Sequence, residues 1–125
     1  MKKYSNISTE PFYSTTRRAG DLIFFSGFGP IDRQMNVVGS WIEEQTGFTM
    51  DNIQMALESE GATWDDVVRV NVFLKDLADR DRFNITYHSY FKTQLPTRRL
   101  IGAGSLFRDI LVEIDCIAYI NSKKT

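Results

Sequence analysis

Two arginines, Arg98 and Arg99, and two carboxylates, Glu113 and Asp115, stand in one stretch, Leu95–Ala118, that reads LPTRRLIGAGSLFRDILVEIDCIA. An arginine carries a planar fork of donors that can hold a carboxylate through two hydrogen bonds. A carboxylate within reach of a water can take its proton. Such groups, if they share a cleft, can anchor an anionic substrate and direct water onto it. The arginines are adjacent, so on a strand they point to opposite faces, and one can serve a site while the other is solvated. Glu113 and Asp115 are two apart and share a face of a regular strand. Set among Leu111, Val112, Ile114, Cys116 and Ile117, they fit either a polar cleft or the solvent side of an ordinary strand. A carboxylate buried beside an arginine would stay ionised and act as a proton acceptor.

Other reactive side chains point to less. His88 is the only histidine, and with no second histidine and no cysteine cluster a zinc site has no ligand set. It falls beside the aromatic stripe of its segment and reads as partly exposed helix surface. Cys116 stands alone in an apolar run and reads as a small core residue. Ser26–Pro30 (SGFGP) lacks the spacing and lysine of a nucleotide loop, but Gly27 leaves backbone open to close approach. The clusters Arg17–Arg18 and Arg80–Arg82 read as solvated charge.

The elements that must position these groups follow from periodicity. Thr15–Ala19 leads through a turn at Gly20–Asp21 into Leu22–Ser26 (LIFFS), an apolar run expected to be a strand buried on both faces. Residues 32–39 read as a loop. From Trp41 to Glu60 the spacing turns helical, with Ile42, Thr49, Ile53, Ala56 and Leu57 on one stripe and Gly61 as the stop. After a turn at Thr63–Asp66, Val67–Leu74 is a β-branched strand. A second helix is expected from about Asp79 to Phe91, since Phe83, Tyr87, Tyr90 and Phe91 recur at helical spacing. Pro96 ends it. Strands over Thr97–Ala103 and Ile110–Ile120, joined by a polar turn at Arg108–Asp109, are expected to form a hairpin. Residues 1–12 offer a further short strand or arm, and the last four a solvated tail.

The order β-β-α-β-α-β-β over 125 residues predicts one α+β domain, a sheet with two helices on one face. Its open face would be too apolar for water, so it is expected to meet other subunits in closed symmetry. A formal net charge of −1 and no basic stripe argue against nucleic acid as a partner. No apolar stretch reaches the length of a membrane span, no secretory signal follows the initial lysines, and one cysteine allows no intrachain disulfide. Those features suggest a cytoplasmic protein.

Three blocks, YSTTRRAGDLIFFSG, VNVFLKDLADRDRFNITYHSYF and PTRR…LVEIDCIA, resemble the Rid/YjgF family of reactive intermediate (enamine/imine) deaminases from about Tyr13 to Tyr119. The resemblance implies a chorismate-mutase-like fold and a homotrimer closing a central β-barrel, with sites at the subunit interfaces. It implies hydrolysis of 2-aminoacrylate-type enamines and 2-imino acids to 2-keto acids and ammonia, with no cofactor. Arg98 falls on the carboxylate-binding arginine and Glu113 on the glutamate that positions water. Tyr13, Ser26 and Asn84 match further pocket positions, and the backbones of Gly27 and Leu100 match ligand contacts. Phe28, Arg80, Arg99, Gly102, Gly104 and Asp115 depart from the family pattern and bear on substrate identity, which leaves room for a larger substrate such as 2-aminomuconate. A non-catalytic binder of 2-keto acids is the competing reading, and such a protein would need Arg98 but not Glu113.

Overall fold

A computed structural model describes residues 12–121 of the chain. Seven main elements follow in the expected order: β1 (Thr16–Ala19), β2 (Leu22–Phe28), α1 (Ile42–Ser59), β3 (Val67–Leu74), α2 (Arg80–His88), β4 (Thr97–Gly102) and β5 (Val112–Tyr119). Short 3-10 turns precede β3, α2 and β5. The additional N-terminal strand and the lysine-rich tail fall outside the described residues, except for Phe12.

α1 begins where the Glu44 carboxylate accepts hydrogen bonds from the backbone N–H of Ser40 (2.8 Å) and Trp41 (3.3 Å), satisfying donors the helix leaves open. It ends at Gly61, whose φ of +77° lets Ala62 N–H turn back onto Leu57 O at 2.8 Å. Ile42, Met50, Ile53, Ala56 and Leu57 form its buried stripe. Phe83 and Tyr87, one turn apart on α2, add to the same layer. Both helices cover one face of the sheet, whose contribution to the core is Ile23, Phe25, Val70, Val72, Leu74, Val112, Ile114, Cys116 and Ala118. Each large side chain buried there stabilises the fold by about 1.5–3 kcal/mol.

The sheet order is β1-β2-β5-β3-β4, antiparallel except for the parallel pair β3–β4. This corrects the expected hairpin. β3 lies between β4 and β5, so the two strands carrying the candidate residues do not touch. The β3–α2–β4 segment is a crossover that sets β4 parallel to β3 at the sheet edge, and the chain then passes the end of β3 to reach β5. The polar turn itself is where the sequence placed it, with Arg108 and Asp109 both at positive φ (53° and 58°).

Two further expectations change. LIFFS is buried on one face only: Ile23 and Phe25 face the helices, while Leu22 and Phe24 lie on the uncovered face. α2 stops at His88 rather than Phe91. Ser89, Tyr90 and Phe91 each donate to the carbonyl three residues back (3.1–3.2 Å), a tighter turn than an α-helix makes. Tyr90 and Phe91 nevertheless pack edge-on against Trp64, and Tyr90 OH donates to Asp51 Oδ1 at 2.7 Å. Burial thus keeps the helical period after the hydrogen bonds have left it.

Candidate active site: two half-sites on opposite faces

α2 and β4 build the first half. The Asp76 side chain accepts from Ala78 N–H at 2.9 Å and fixes the approach to α2. Phe83 and Tyr87 then turn into the core, and Asn84, next to Phe83, is carried to the sheet edge. There Arg98 Nη1 donates to Asn84 Oδ1 at 2.8 Å. The guanidinium carbon lies 4.9 Å from the Tyr87 ring centroid and 5.8 Å from that of Phe83. One amide and two rings thus hold the cation in place. The spacing of Arg98 and Arg99 left open which one serves a cleft. Arg98 stands on the helix face, in register with buried Val70, whereas Arg99 stands on the uncovered face beside Asn71.

Arg98 forms one wall of a cleft of about 610 Å³ lined also by Asn84, Ile85, Tyr87, His88, Leu95 and Pro96. This is within the size of small-molecule sites. Burial is the main influence pushing the Tyr87 phenol up, to about 12, against the lowering effect of Arg98. It therefore stays protonated and is no base at neutral pH. His88 and Ile85 escaped sequence reasoning as cleft residues. The signal was present: His88 follows Asn84 by four residues, one turn along the same helix face. Leu100 lies on the same side of β4 as Arg98 and packs against the core.

β2 and β5 build the second half. Register between them shifts from Phe25↔Cys116 to Phe28↔Ile114, so Ser26 and Gly27 together oppose Asp115 in a bulge. Glu113 lies against that bulge, and a side chain at Gly27 would collide with its carboxylate. Glycine here leaves room for the Glu113 carboxylate, which a Cβ would push aside. The Ser26 hydroxyl donates to Ser14 O at 2.6 Å and its N–H to Thr15 O at 2.9 Å, which ties the segment carrying Tyr13 to the bulge. Tyr13 itself is exposed. Asp115 Oδ1 accepts from Asn71 Nδ2 at 2.8 Å. Burial, and then the neighbouring Asp115 charge, raise the Glu113 carboxyl above its ordinary 4.5. That differs from the carboxylate held ionised by an arginine: among the described residues, no arginine contributes to the shift.

The two halves do not meet within one chain. Arg98 shares a row with Val70 and Cys116 on the helix face, while Glu113 shares a row with Phe73 and Ile101 on the uncovered face. Two strand spacings and three residues separate their backbones, about 14 Å at ~4.8 Å per strand and ~3.3 Å per residue. The candidate residues thus divide into Asn84, Arg98 and Leu100 on one side and Tyr13, Ser26, Gly27 and Glu113 on the other. Among the departures, Phe28 is buried in the core, and Leu77 fills the space beside Gly102, where a Cβ would fall 3.0 Å from Leu77 Cγ. Arg80 is exposed, 3.5 Å from Asp81. Cys116 is buried, which pushes its thiol up and keeps it unreactive. Among the described residues, no three metal-ligating side chains cluster and no helix is long and apolar enough to cross a membrane.

A family model described as Endoribonuclease L-PSP matches residues 4–120. A RutC family protein of Saccharolobus solfataricus is 44% identical over 107 residues, covering 85% of each chain. A Rid family protein from Yersinia pestis superposes with a TM-score of 0.88 at 30% identity, covering 95% of this chain and 97% of that one. TdcF of E. coli, solved with bound serine, gives a TM-score of 0.84 at 25% identity over 91% of each chain.

Proposed function

The chain belongs to the endoribonuclease L-PSP family, the YjgF/RutC group that includes the Rid proteins, and we propose that within it this protein is a cofactor-independent enamine/imine deaminase. The observation that carries this reading is the guanidinium of Arg98, pinned by Asn84 and the Tyr87 ring in the wall of a cleft. In the proposed reaction, Arg98 grips the carboxylate of a 2-aminoacrylate-type enamine or its 2-imino tautomer and fixes the imine carbon in the cleft. Glu113 orients a water and takes its proton as the oxygen adds to that carbon. The carboxyl then returns the proton to nitrogen, giving a carbinolamine; the remaining hydroxyl proton passes to nitrogen as the C–N bond breaks, and ammonia leaves a 2-keto acid. A carboxyl raised above its ordinary value suits both steps, since it can give back at neutral pH the proton it has taken.

This scheme needs the two half-sites together. A homotrimer in which the uncovered faces close a barrel would bring the Glu113 half of one copy to the Arg98 half of the next. The exposed apolar side chains Leu22, Phe24, Ile101 and Tyr119 on or beside that face favour such an assembly. The partner in the cleft is a small imino or keto acid. At a net charge of −1 the chain offers little general attraction to RNA.

Hydrolysis of imines generated in situ tests the proposal. Wild type and Arg99→Ala are expected to accelerate it, and Arg98→Ala and Glu113→Ala to fail. Equal rates with and without wild-type protein would sink the deaminase reading. Binding of 2-keto acids without turnover would leave a metabolite-binding protein. In light scattering, a monomer at micromolar concentration would exclude the shared site.

A further inference from the structure

We infer that the Arg98 cleft selects carboxylic acids with a bulky apolar side chain over the three-carbon acids, an inference that rests on Arg98 as the carboxylate anchor. The cleft holds one cation, and much of the wall around it is hydrocarbon: Ile85, Leu95, Pro96 and the Tyr87 ring. Ile85 is 74% exposed and Leu95 62% exposed. Neither serves the core. On α2 that role belongs to Phe83 and Tyr87. Leu95 sits in the loop before Pro96, outside every element. Apolar side chains left in water beside a pinned guanidinium gain nothing for folding, but they would gain by burying a ligand's hydrocarbon.

Size points the same way. A 2-imino acid of three carbons has six heavy atoms and would leave most of the roughly 610 Å³ cleft of a single chain unfilled. A branched aliphatic or aromatic side chain would cover Ile85 and Leu95 once Arg98 held the carboxylate. A second carboxylate at that end would instead meet hydrocarbon and lose hydration. The substrates favoured are therefore 2-imino acids derived from branched-chain and aromatic amino acids.

Stable 2-keto acids test this without turnover, by calorimetric or NMR titration of the full-length protein. Each buried methylene is worth about fourfold in affinity. Three extra carbons in an open cleft should make 4-methyl-2-oxopentanoate bind about tenfold tighter than pyruvate, with phenylpyruvate at least as tight. 2-Oxoglutarate should bind no tighter than pyruvate. The double substitution Ile85→Asn and Leu95→Asn, at two exposed positions, should bring the ratio of the two affinities near one. Arg98→Ala should weaken the whole series. A flat series, tightest binding of 2-oxoglutarate, a ratio that survives the double substitution, or no binding of any acid would overturn the inference. Graded binding without imine hydrolysis would overturn the deaminase reading alone; hydrolysis with equal kcat/KM across side chains would overturn this inference alone.

Discussion

The two half-sites differ in how finished they are. Around Arg98, one chain supplies the amide, the rings and the cleft walls, so the cation is already positioned for an anion. Around Glu113, one chain supplies only a bulge with no side chain at Gly27 and an acid on a sheet face that no helix covers. Binding can therefore be built within a protomer, whereas water activation would await a second copy. Under the proposed reaction that division would separate recognition from chemistry in space, and substitutions on the two sides should separate in kinetics.

The largest effects test that separation directly. Arg98→Ala should remove both 2-keto acid binding and turnover. Glu113→Gln should lower kcat about 10²–10⁴-fold while leaving 2-keto acid affinity within about twofold. Equal loss of binding in the two variants would break the comparison. The pH dependence sharpens it. Only ionised Glu113 can accept the water's proton, and its carboxyl is raised by burial and by Asp115. With the substrate's charge neutralising Arg98, kcat should decline on the acid side with a midpoint above 4.5, and Asp115→Asn should move that midpoint down. A midpoint below 4.5 would mean that a cation governs Glu113 in the working complex.

Gly27→Ala should come next. A methyl group there would occupy the space of the Glu113 carboxylate, forcing the acid or the bulge to move. Because every atom met belongs to the flexible Glu113 side chain, the acid can swing aside at little cost in stability, and Tm should change little. A carboxylate displaced by an ångström should lose about a hundredfold in kcat. 2-Keto acid binding, measured on protein that remains folded, should change little. Matching losses in binding and kcat would show that Gly27 serves recognition as well.

The sequence made the elements legible and left their neighbours dark. The stripe of Ile42, Thr49, Ile53 and Leu57 located α1, because one helix carries its own period. No comparable signal tells a strand which strand lies beside it. β4 and β5 are consecutive in sequence, and consecutive strands often pair, yet β3 separates them here because the α2 crossover lays β4 parallel against it. That one change sets a whole strand between Arg98 and Glu113. The choice between Arg98 and Arg99 was closed to spacing for the same reason. Alternation says that the two diverge but not which of them meets Asn84. His88 read as mere helix surface because its spacing from Asn84 marks a shared helix face but not the loop before β4 that makes that face a cleft.

Asn84 carries the smallest effect and probes why the Arg98 half is finished. Removing its amide in Asn84→Ala takes one acceptor from a partly buried cation, while the Tyr87 ring stays beneath it. A hydrogen bond to a charged group contributes about 1.5–3 kcal/mol. Because water can reach this edge, the lower end applies, and 2-keto acids should bind about tenfold more weakly with kcat nearly unchanged. Asn84→Asp separates positioning from charge. It keeps the acceptor, and so would hold Arg98 at least as firmly, but it sets an anion against the guanidinium and competes with the substrate's own carboxylate. If Asn84 acts by holding the cation without neutralising it, Asp should bind 2-keto acids more weakly than Ala does. Titration of the two variants side by side decides this. An Asp variant that binds like wild type would mean that geometry alone equips the site, and that the neutrality of Asn84 has no part in it.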